Sequence, residues 1–454
     1  MAETAVDVVV LGMGPGGEDV AGKLAEAGLD VVGIEKELLG GECPYWGCIP
    51  TKMMVRGSNL LAEGRRVNGF AGQASVRPDW APVAQRIRKE ATDDWNDQVA
   101  VDRFTGKGGR FVRGTGRLAG EGLVDVDGER FRARRGIVIA TGAVPVVPPV
   151  PGLQDVDFWT NRDAVKADPL PESLVILGGG AIGLELAQAF ARFGTRVSVV
   201  EGSDRPLPME EPEASALIKE VFEREGIDLH LGHRAQRVVK AGGRFEVELE
   251  GGGKVSGDRL LVATGRRPNT KDLGLETAGI EAERGVPVDG RLQAAPGLWA
   301  IGDVTGLGFF THLSVHHAGL VAEHILGKQP PDADHHAVPR VTFTDPEVGA
   351  VGLSEGQARE RGLRVRTALS SVPSSTRGWI HGPGNDGLVK LVADEAAGTL
   401  VGATSAGPVG GEVLAMLTLA VQARIPIETL KRMIYAYPTF HRAVLPAVEQ
   451  LPAS

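Results

Sequence analysis

Cys43 and Cys48 are the only thiols among 454 residues, and four residues separate them. On a helix or turn that spacing can bring two sulfurs within bonding range. They lie in the segment Gly40-Gly41-Glu42-Cys43-Pro44-Tyr45-Trp46-Gly47-Cys48-Ile49-Pro50-Thr51-Lys52. Two readings fit: a reversible disulfide, or a pair of inert buried thiols. Their concentration in one glycine-led segment favours the first. Lys52, one helical turn past Cys48, would favour the thiolate form that exchange requires. Two cysteines make no secreted disulfide framework and no four-thiolate zinc or iron–sulfur site.

A second chemistry is written in glycine. The chain holds 63 glycines, roughly twice the usual ~7% usage. Val8-Val9-Val10-Leu11 reads as a buried parallel strand, followed at once by Gly12-Met13-Gly14-Pro15-Gly16-Gly17 and an Ala-rich helix. The next strand, Val31 to Ile34, ends at Glu35. The pattern returns at Leu174 to Leu177, Gly178-Gly179-Gly180-Ala181-Ile182-Gly183, a helix from Leu184 to Phe193, and a strand ending at Glu201. In both units the acid lies 23 residues past the first glycine. Gly12 and Gly178 permit the turn, Gly14 and Gly180 admit a pyrophosphate to the backbone, and Gly17 and Gly183 let helix and sheet pack closely. The helix N-termini supply N–H groups and partial positive charge. Glu35 and Glu201 can each accept from ribose hydroxyls. Glu201 suits the free 2′-hydroxyl of NADH, whereas Arg205 could meet the phosphate of NADPH. The acid comes first, so NADH is favoured.

These motifs need elements to carry them. The two βαβ units predict an α/β chain with parallel sheets. Pro-rich Val144 to Gly152 reads as a crossing between domains, Phe245 to Val262 as β-rich, and Gln329-Pro330-Pro331 as a further boundary. The last ~120 residues carry no nucleotide motif and read as a separate α+β domain of about average size. The net charge of −9 disfavours a nucleic-acid footprint. No stretch approaches the ~20 apolar residues of a membrane span. Glu3 and Asp7 precede the first apolar run, the reverse of a secretory signal, so the expected location is cytoplasmic.

Taken together, these motifs resemble those of the class I flavin-dependent pyridine nucleotide–disulfide oxidoreductases, the family of dihydrolipoamide dehydrogenase, glutathione reductase and mercuric reductase. The likeness covers almost the whole chain. It implies two Rossmann-like dinucleotide-binding domains and a C-terminal α+β dimerisation domain. The implied divisions are residues 1–150 (FAD, with the redox disulfide), 151–270 (NAD(P)), 271–334 (second FAD or central part) and 335–454 (interface). Ile137 to Gly142, with Thr141 and Gly142, and Leu260 to Gly265 resemble the family's two ATG crossings. Trp299 to Asp303 resembles the segment whose acid meets the ribityl chain of FAD, and His312 falls near its pyrimidine side. Gly41 leads into the disulfide segment. By resemblance, Cys48 faces the flavin, Cys43 exchanges with substrate, and Lys52 pairs with Glu185 beside the flavin. A homodimer is implied.

One segment departs from the family. Its members carry His-Pro-Thr followed, after two intervening residues, by Glu, as the acid–base pair for thiol exchange. Here Tyr437 stands at the histidine position and Arg442 at the glutamate position, in Tyr435-Ala436-Tyr437-Pro438-Thr439-Phe440-His441-Arg442. A tyrosine, with an ordinary pKa near ~10, is a poor base at neutral pH but can donate a proton. His441 would share a face with Tyr437 if this stretch were helical, and is the other candidate. An ordinary partly exposed histidine is the favoured reading of it, ahead of a catalytic one. His316-His317 and His335-His336 read as structural or surface pairs, and no metal site is expected. The C-terminal Val448 to Ser454 holds no thiol relay.

The expected activity is therefore NAD(P)H-dependent reduction, through FAD and Cys43–Cys48, of a small-molecule disulfide. The alternative is a non-disulfide acceptor: a quinone, a metal ion or dioxygen. A non-catalytic redox sensor or complex subunit is disfavoured by the presence of Cys43, Cys48, Lys52 and Glu185 together.

Overall fold

The apolar run that opens the chain forms the strand Glu3–Leu11 in a computed structural model that describes residues 3–452. Val8 and Val10 face one side of the sheet and Val9 and Leu11 the other, and all four are buried. That two-faced burial explains why the sequence shows a continuous apolar run rather than alternation. Glu3–Leu11 pairs in parallel with Val31–Glu35 on one side and Glu129–Ile139 on the other. Arg110–Arg113 and Leu298–Ala300 extend the parallel sheet, and Gln293–Ala295 closes one edge antiparallel. The helices Pro15–Glu26 and Thr311–Ile325 pack one face through Val20, Leu24, Ala318 and Val321. The opposite face holds Leu118, Val124, Phe131 and Val286.

These elements belong to one of two units, formed by Met1–Pro50, Gln85–Val146 and Gly265–His335. The same unit carries the short antiparallel pair Ala143–Pro145 and Arg266–Pro268, each strand following directly on one of the two ATG segments that the sequence marks.

The other unit comprises Thr51–Ala84, Val147–Thr264 and His336–Ser454. Its parallel sheet has the order Asp228–Leu231, Arg196–Glu201, Ser173–Leu177, Arg259–Val262. The helix Ala181–Arg192 starts three residues before the expected Leu184, because Gly180 already takes the N-cap position. An antiparallel meander spans Ala235–Ala241, Arg244–Leu249 and Lys254–Gly257. The C-terminal α+β part is a five-stranded antiparallel sheet built from Pro339–Thr342, Glu347–Gly352, Thr399–Gly407, Leu388–Asp394 and Val365–Ser371. The helices Gly410–Gln422 and Val444–Gln450 bury Leu414, Leu417, Val444 and Val448 against it. The fold is thus α/β, with two dinucleotide-type parallel sheets and a C-terminal α+β part. No helix among the described residues is long and apolar enough to cross a membrane. Ala453 and Ser454, the last residues of the thiol-free C terminus, lie outside the described residues.

Candidate active site

The first glycine loop is shaped by close approach. A Cβ on Gly12 would lie 2.5 Å from the Ala140 carbonyl oxygen, and one on Gly17 would lie 2.0 Å from the Gly12 carbonyl oxygen. Any side chain at either position would push the helix off the strand. At Gly14, the N-cap of Pro15–Glu26, the space a Cβ would take is open. A helix N-terminus with open space before it accommodates a diphosphate. Glu35 reaches back over the loop, its Oε2 accepting from Met13 N at 2.9 Å and its Oε1 from Glu37 N at 2.8 Å. Gly41 packs against Gly14. The Thr141 hydroxyl donates to the Asn269 carbonyl at 2.8 Å, and Asn269 N donates to Gly142 O at 2.9 Å, so the two crossing segments are tied together. Gly265 completes that tie by accepting from Val146 N at 2.9 Å.

The thiols stand on two helix starts. Cys43 lies in the short helix Glu42–Tyr45, and Cys48 opens Cys48–Arg66. Both are half-buried. Hydrogen bonding with Cys48, then burial, pushes the Cys43 thiol up, so the proton of the dithiol is held on Cys43. Cys48 Sγ lies 3.6 Å from the Thr311 hydroxyl. The N-terminus of a 19-residue helix favours negative charge on that sulfur. Thr311 as a neighbour of Cys48 was not legible in the sequence: 263 residues separate the two.

Asp303 sits in the turn Gly302–Thr305 of the same unit. Burial pushes its carboxyl up to about 6, against the opposing pull of Arg266. A desolvated carboxylate of this kind suits the hydroxyls of a polyol chain. His317 is fully buried, and its Nδ1 accepts from Gly302 N at 3.1 Å. Its Nε2 is 2.8 Å from Nε2 of His335. Burial lowers the His317 pKa to about 3, so the ring is neutral and holds the Asp303 turn in place. His312, by contrast, is exposed and stacks on Phe310 with centroids 5.3 Å apart. Among the described residues no group of three or more His, Cys, Asp or Glu could hold a metal ion.

A pH effect follows from Asp303. In flavin-free protein the folded state keeps this proton to about pH 6, whereas the unfolded chain releases it near its ordinary value of 3.8. The folded state then binds more protons than the unfolded state in that window, so stability falls as pH rises through it, by on the order of 2–3 kcal/mol. Asp303→Asn is expected to remove this fall. Thermal melts of the flavin-free variant and wild type on both sides of the window check it, and an unchanged difference would count against it.

In the second unit the glycine loop repeats the same constraints. A Cβ on Gly178 would meet the Ala263 carbonyl oxygen at 2.3 Å, and one on Gly183 would meet the Gly178 carbonyl oxygen at 2.1 Å. The space at Gly180 is open. Glu201 caps the loop as Glu35 does, accepting from Gly179 N and Ser203 N at 2.7 Å each. Arg205 turns away, donating to the carbonyls of Pro208 at 3.0 Å and Glu210 at 3.2 Å. Lys52 Nζ donates to Glu185 Oε2 at 2.5 Å, and Glu185 Oε1 accepts from Phe343 N at 2.8 Å. The Lys52 ammonium also lies 4.5 Å from the Phe343 ring centroid. Phe343 is a third member of this group, and no sequence signal pointed to it.

The C-terminal segment of this unit is not helical between Tyr437 and Phe440. Pro438 removes an N–H and disfavours helical backbone at the residue before it, so Tyr437 and His441 do not share a helix face. Tyr437 is 66% exposed, with the Arg442 guanidinium 5.4 Å from its ring. His441 lies in the 3₁₀ turn Phe440–Ala443, stacked on Tyr435 at 6.1 Å, with Nε2 3.5 Å from the Thr439 hydroxyl.

Residues 6–323 match the family model described as pyridine nucleotide-disulphide oxidoreductase, and residues 338–448 match its dimerisation domain. The chain is similar to the dihydrolipoyl dehydrogenase of Haloferax volcanii, 34% identical, covering 98% of this chain and 96% of that protein. It is equally similar to the mercuric reductase of Streptomyces lividans, 34% identical over 98% of this chain and 95% of that one. Among solved structures, a Cu(II) complex of the HOCl-induced flavoprotein disulfide reductase RclA from Escherichia coli aligns with a TM-score of 0.87 at 28% identity, covering 98% of this chain and 100% of that chain.

Proposed function

Since the chain belongs to the pyridine nucleotide–disulphide oxidoreductase family and is an FAD-dependent NAD(P)H:disulfide oxidoreductase, we propose that it moves two electrons from NADH to a small disulfide through Cys43 and Cys48. The observation that carries this reading is the thiol pair, set on two helix starts in the unit that holds the first glycine loop and Asp303. FAD would be held by Gly12, Gly14, Gly17, Glu35, Gly41, Thr141, Gly142, Gly265 and Asp303, with His312 beside it. When bound, it supplies two-electron transfer between the nicotinamide and the disulfide.

The chain's own residues do the rest. Gly178, Gly180 and Gly183 receive the pyrophosphate of the nicotinamide cofactor, and Glu201 takes the ribose hydroxyls. Glu201 and the commitment of Arg205 to backbone carbonyls both favour NADH over NADPH. Glu185 fixes the Lys52 ammonium in one position. In the dithiol, Cys43 first gives its proton to the acid–base group; its thiolate attacks the acceptor disulfide, a Cys43–acceptor disulfide forms, and one acceptor thiolate leaves and takes up that proton. Cys48 then attacks Cys43, the second acceptor thiolate leaves, and the Cys43–Cys48 bond closes. Two electrons pass to the acceptor, and two protons complete its thiols. In a homodimer, the family arrangement that the dimerisation-domain match supports, Tyr437 and His441 share the proton-handling role. A cytoplasmic location suits a chain with only two cysteines.

A second reading is favoured by Tyr437 and Arg442, which replace the expected acid–base pair. A quinone, dioxygen or a thiophilic metal ion held by Cys43 and Cys48 needs no such pair. Turnover with lipoamide, oxidised low-molecular-weight thiols, quinones, mercuric or cupric ions and oxygen, each with NADH and NADPH, separates the two. Disulfides are expected to be fastest, and NADH to be preferred about tenfold, or ~1.4 kcal/mol. His441→Ala is expected to slow disulfide turnover about tenfold or more and to flatten its pH profile near neutrality. A variant with unchanged rate and profile excludes His441 as the base.

A further inference from the structure

Between the π-helical turn Ile87–Ala91 and the helix Gln98–Thr105 the backbone makes an unusual loop. Asp93, Asp94 and Trp95 take φ of +46°, +53° and +59° in succession. None is glycine. Aspartate visits this left-handed region with modest frequency, but a bulky residue does so rarely and at an energetic cost. Something must offset that cost.

The loop grips the thiol segment at two points of the same unit. The Trp95 ring stacks on Trp46, between the two cysteines in sequence, with centroids 5.6 Å apart and planes inclined at 19°. Trp95 Nε1 donates to the Tyr45 carbonyl at 3.2 Å. Two residues on, buried Asp97 accepts from Leu39 N at 2.6 Å, just before the Gly40-Gly41 lead-in. Arg113 holds the same Asp97 oxygen at 2.5 Å. One strained turn therefore pins the thiol segment on both sides of Cys43. Aromatic stacking and the indole hydrogen bond together are of the size that offsets such strain.

We propose that the turn Asp93–Asp97 is a clasp on the inter-cysteine loop, and that Trp95 is a positioning residue that sets the reduction potential of the Cys43–Cys48 couple. The inference rests on the reading of that pair as redox-active. Reduction of the disulfide takes up two electrons and two protons and gives two thiols. Closing it again requires the sulfurs to meet. A loop held in one conformation loses little entropy on closure, so the disulfide is favoured and the potential is low. A released loop loses more, so the dithiol gains population and becomes a weaker reductant. The clasp thereby decides which acceptors the dithiol can reduce.

The test equilibrates FAD-loaded protein with reduced and oxidised dithiothreitol, whose two thiols are oxidised as the protein disulfide is reduced. Alkylation and intact mass then count the protein thiols. Trp95→Ala is expected to shift the equilibrium about tenfold towards the dithiol, about 30 mV for a two-electron couple. Trp95→Phe keeps the stack without the indole donor and is expected to shift it less, which also serves if the alanine variant fails to fold. Wild-type potentials in both variants, or in Trp95→Phe and Trp95→Leu if the alanine variant does not fold, overturn the clasp even where melting temperature falls. A wild-type protein with no dithiothreitol-dependent thiol pair overturns instead the redox reading on which the clasp rests.

Discussion

Cys43→Ser is expected to lose disulfide turnover by about 10³-fold or more, because the nucleophile that opens the acceptor disulfide is gone. Cys48→Ser should lose as much for a different reason. Cys43 can still form the mixed disulfide, but nothing resolves it, so the acceptor fragment remains attached and appears as added mass. That contrast separates the two sulfurs by role. The hydrogen bond with Cys48 and burial push the Cys43 thiol up, so Cys43 must lose its proton before it attacks. Quinone or oxygen turnover should survive both substitutions if those acceptors bypass the thiols. Steady-state rates with a disulfide and with a quinone, beside intact-mass analysis, measure all of this. Disulfide turnover retained in Cys43→Ser would remove the pair from the reaction.

The second large effect is expected at Glu185. Its carboxylate is 4% exposed and accepts from both Lys52 Nζ and Phe343 N. Glu185→Ala leaves the half-buried Phe343 N–H without its acceptor and an ammonium without its counter-charge. The first costs about 1–3 kcal/mol. The second is discounted, because Lys52 is 35% exposed and water screens it. A total loss of about 2–4 kcal/mol is expected, read as a lower denaturant midpoint at unchanged slope. Glu185→Gln keeps an acceptor for Phe343 N and should recover most of that stability. Both variants should slow formation of the dithiol by NADH about 10- to 100-fold, since each releases Lys52 from its fixed position. Rapid mixing with NADH, followed by thiol counting, gives that rate. Full recovery of the rate in Glu185→Gln would show that the charge of the pair is not what the reaction needs.

What was legible in the sequence was set by short-range sterics. The last glycine of each loop is dictated by backbone atoms that the strand–turn–helix motif itself brings close, whereas Gly12 and Gly178 face carbonyls of Ala140 and Ala263 from far along the chain. Two carbonyl contacts, those facing Gly17 and Gly183, come from the first glycine of the same loop. The cysteine pair, the capping acids Glu35 and Glu201, and the two βαβ units are local in the same sense. Their positions could be read without knowing where the rest of the chain goes. The Lys52–Glu185 pair was legible only by resemblance, since 133 residues separate its members.

The tertiary structure decided what depends on distant segments meeting. Thr311 beside Cys48, Phe343 on Glu185, His317 under the Asp303 turn and Trp95 on Trp46 carry no periodicity or motif of their own. Each is an ordinary residue type made specific by its neighbour. Arg205 shows the point from the other side: its type allowed a phosphate contact, but two carbonyls of its own loop claimed it. The same holds for Tyr437 and His441, whose helical spacing was cancelled by Pro438. The sequence by itself marked the two glycine loops and the candidate thiol pair, because strand–turn–helix spacing and the closeness of the two cysteines are local features. The fold alone decided the surroundings that tune them, because burial and long-range hydrogen bonds exist only once the chain has closed on itself.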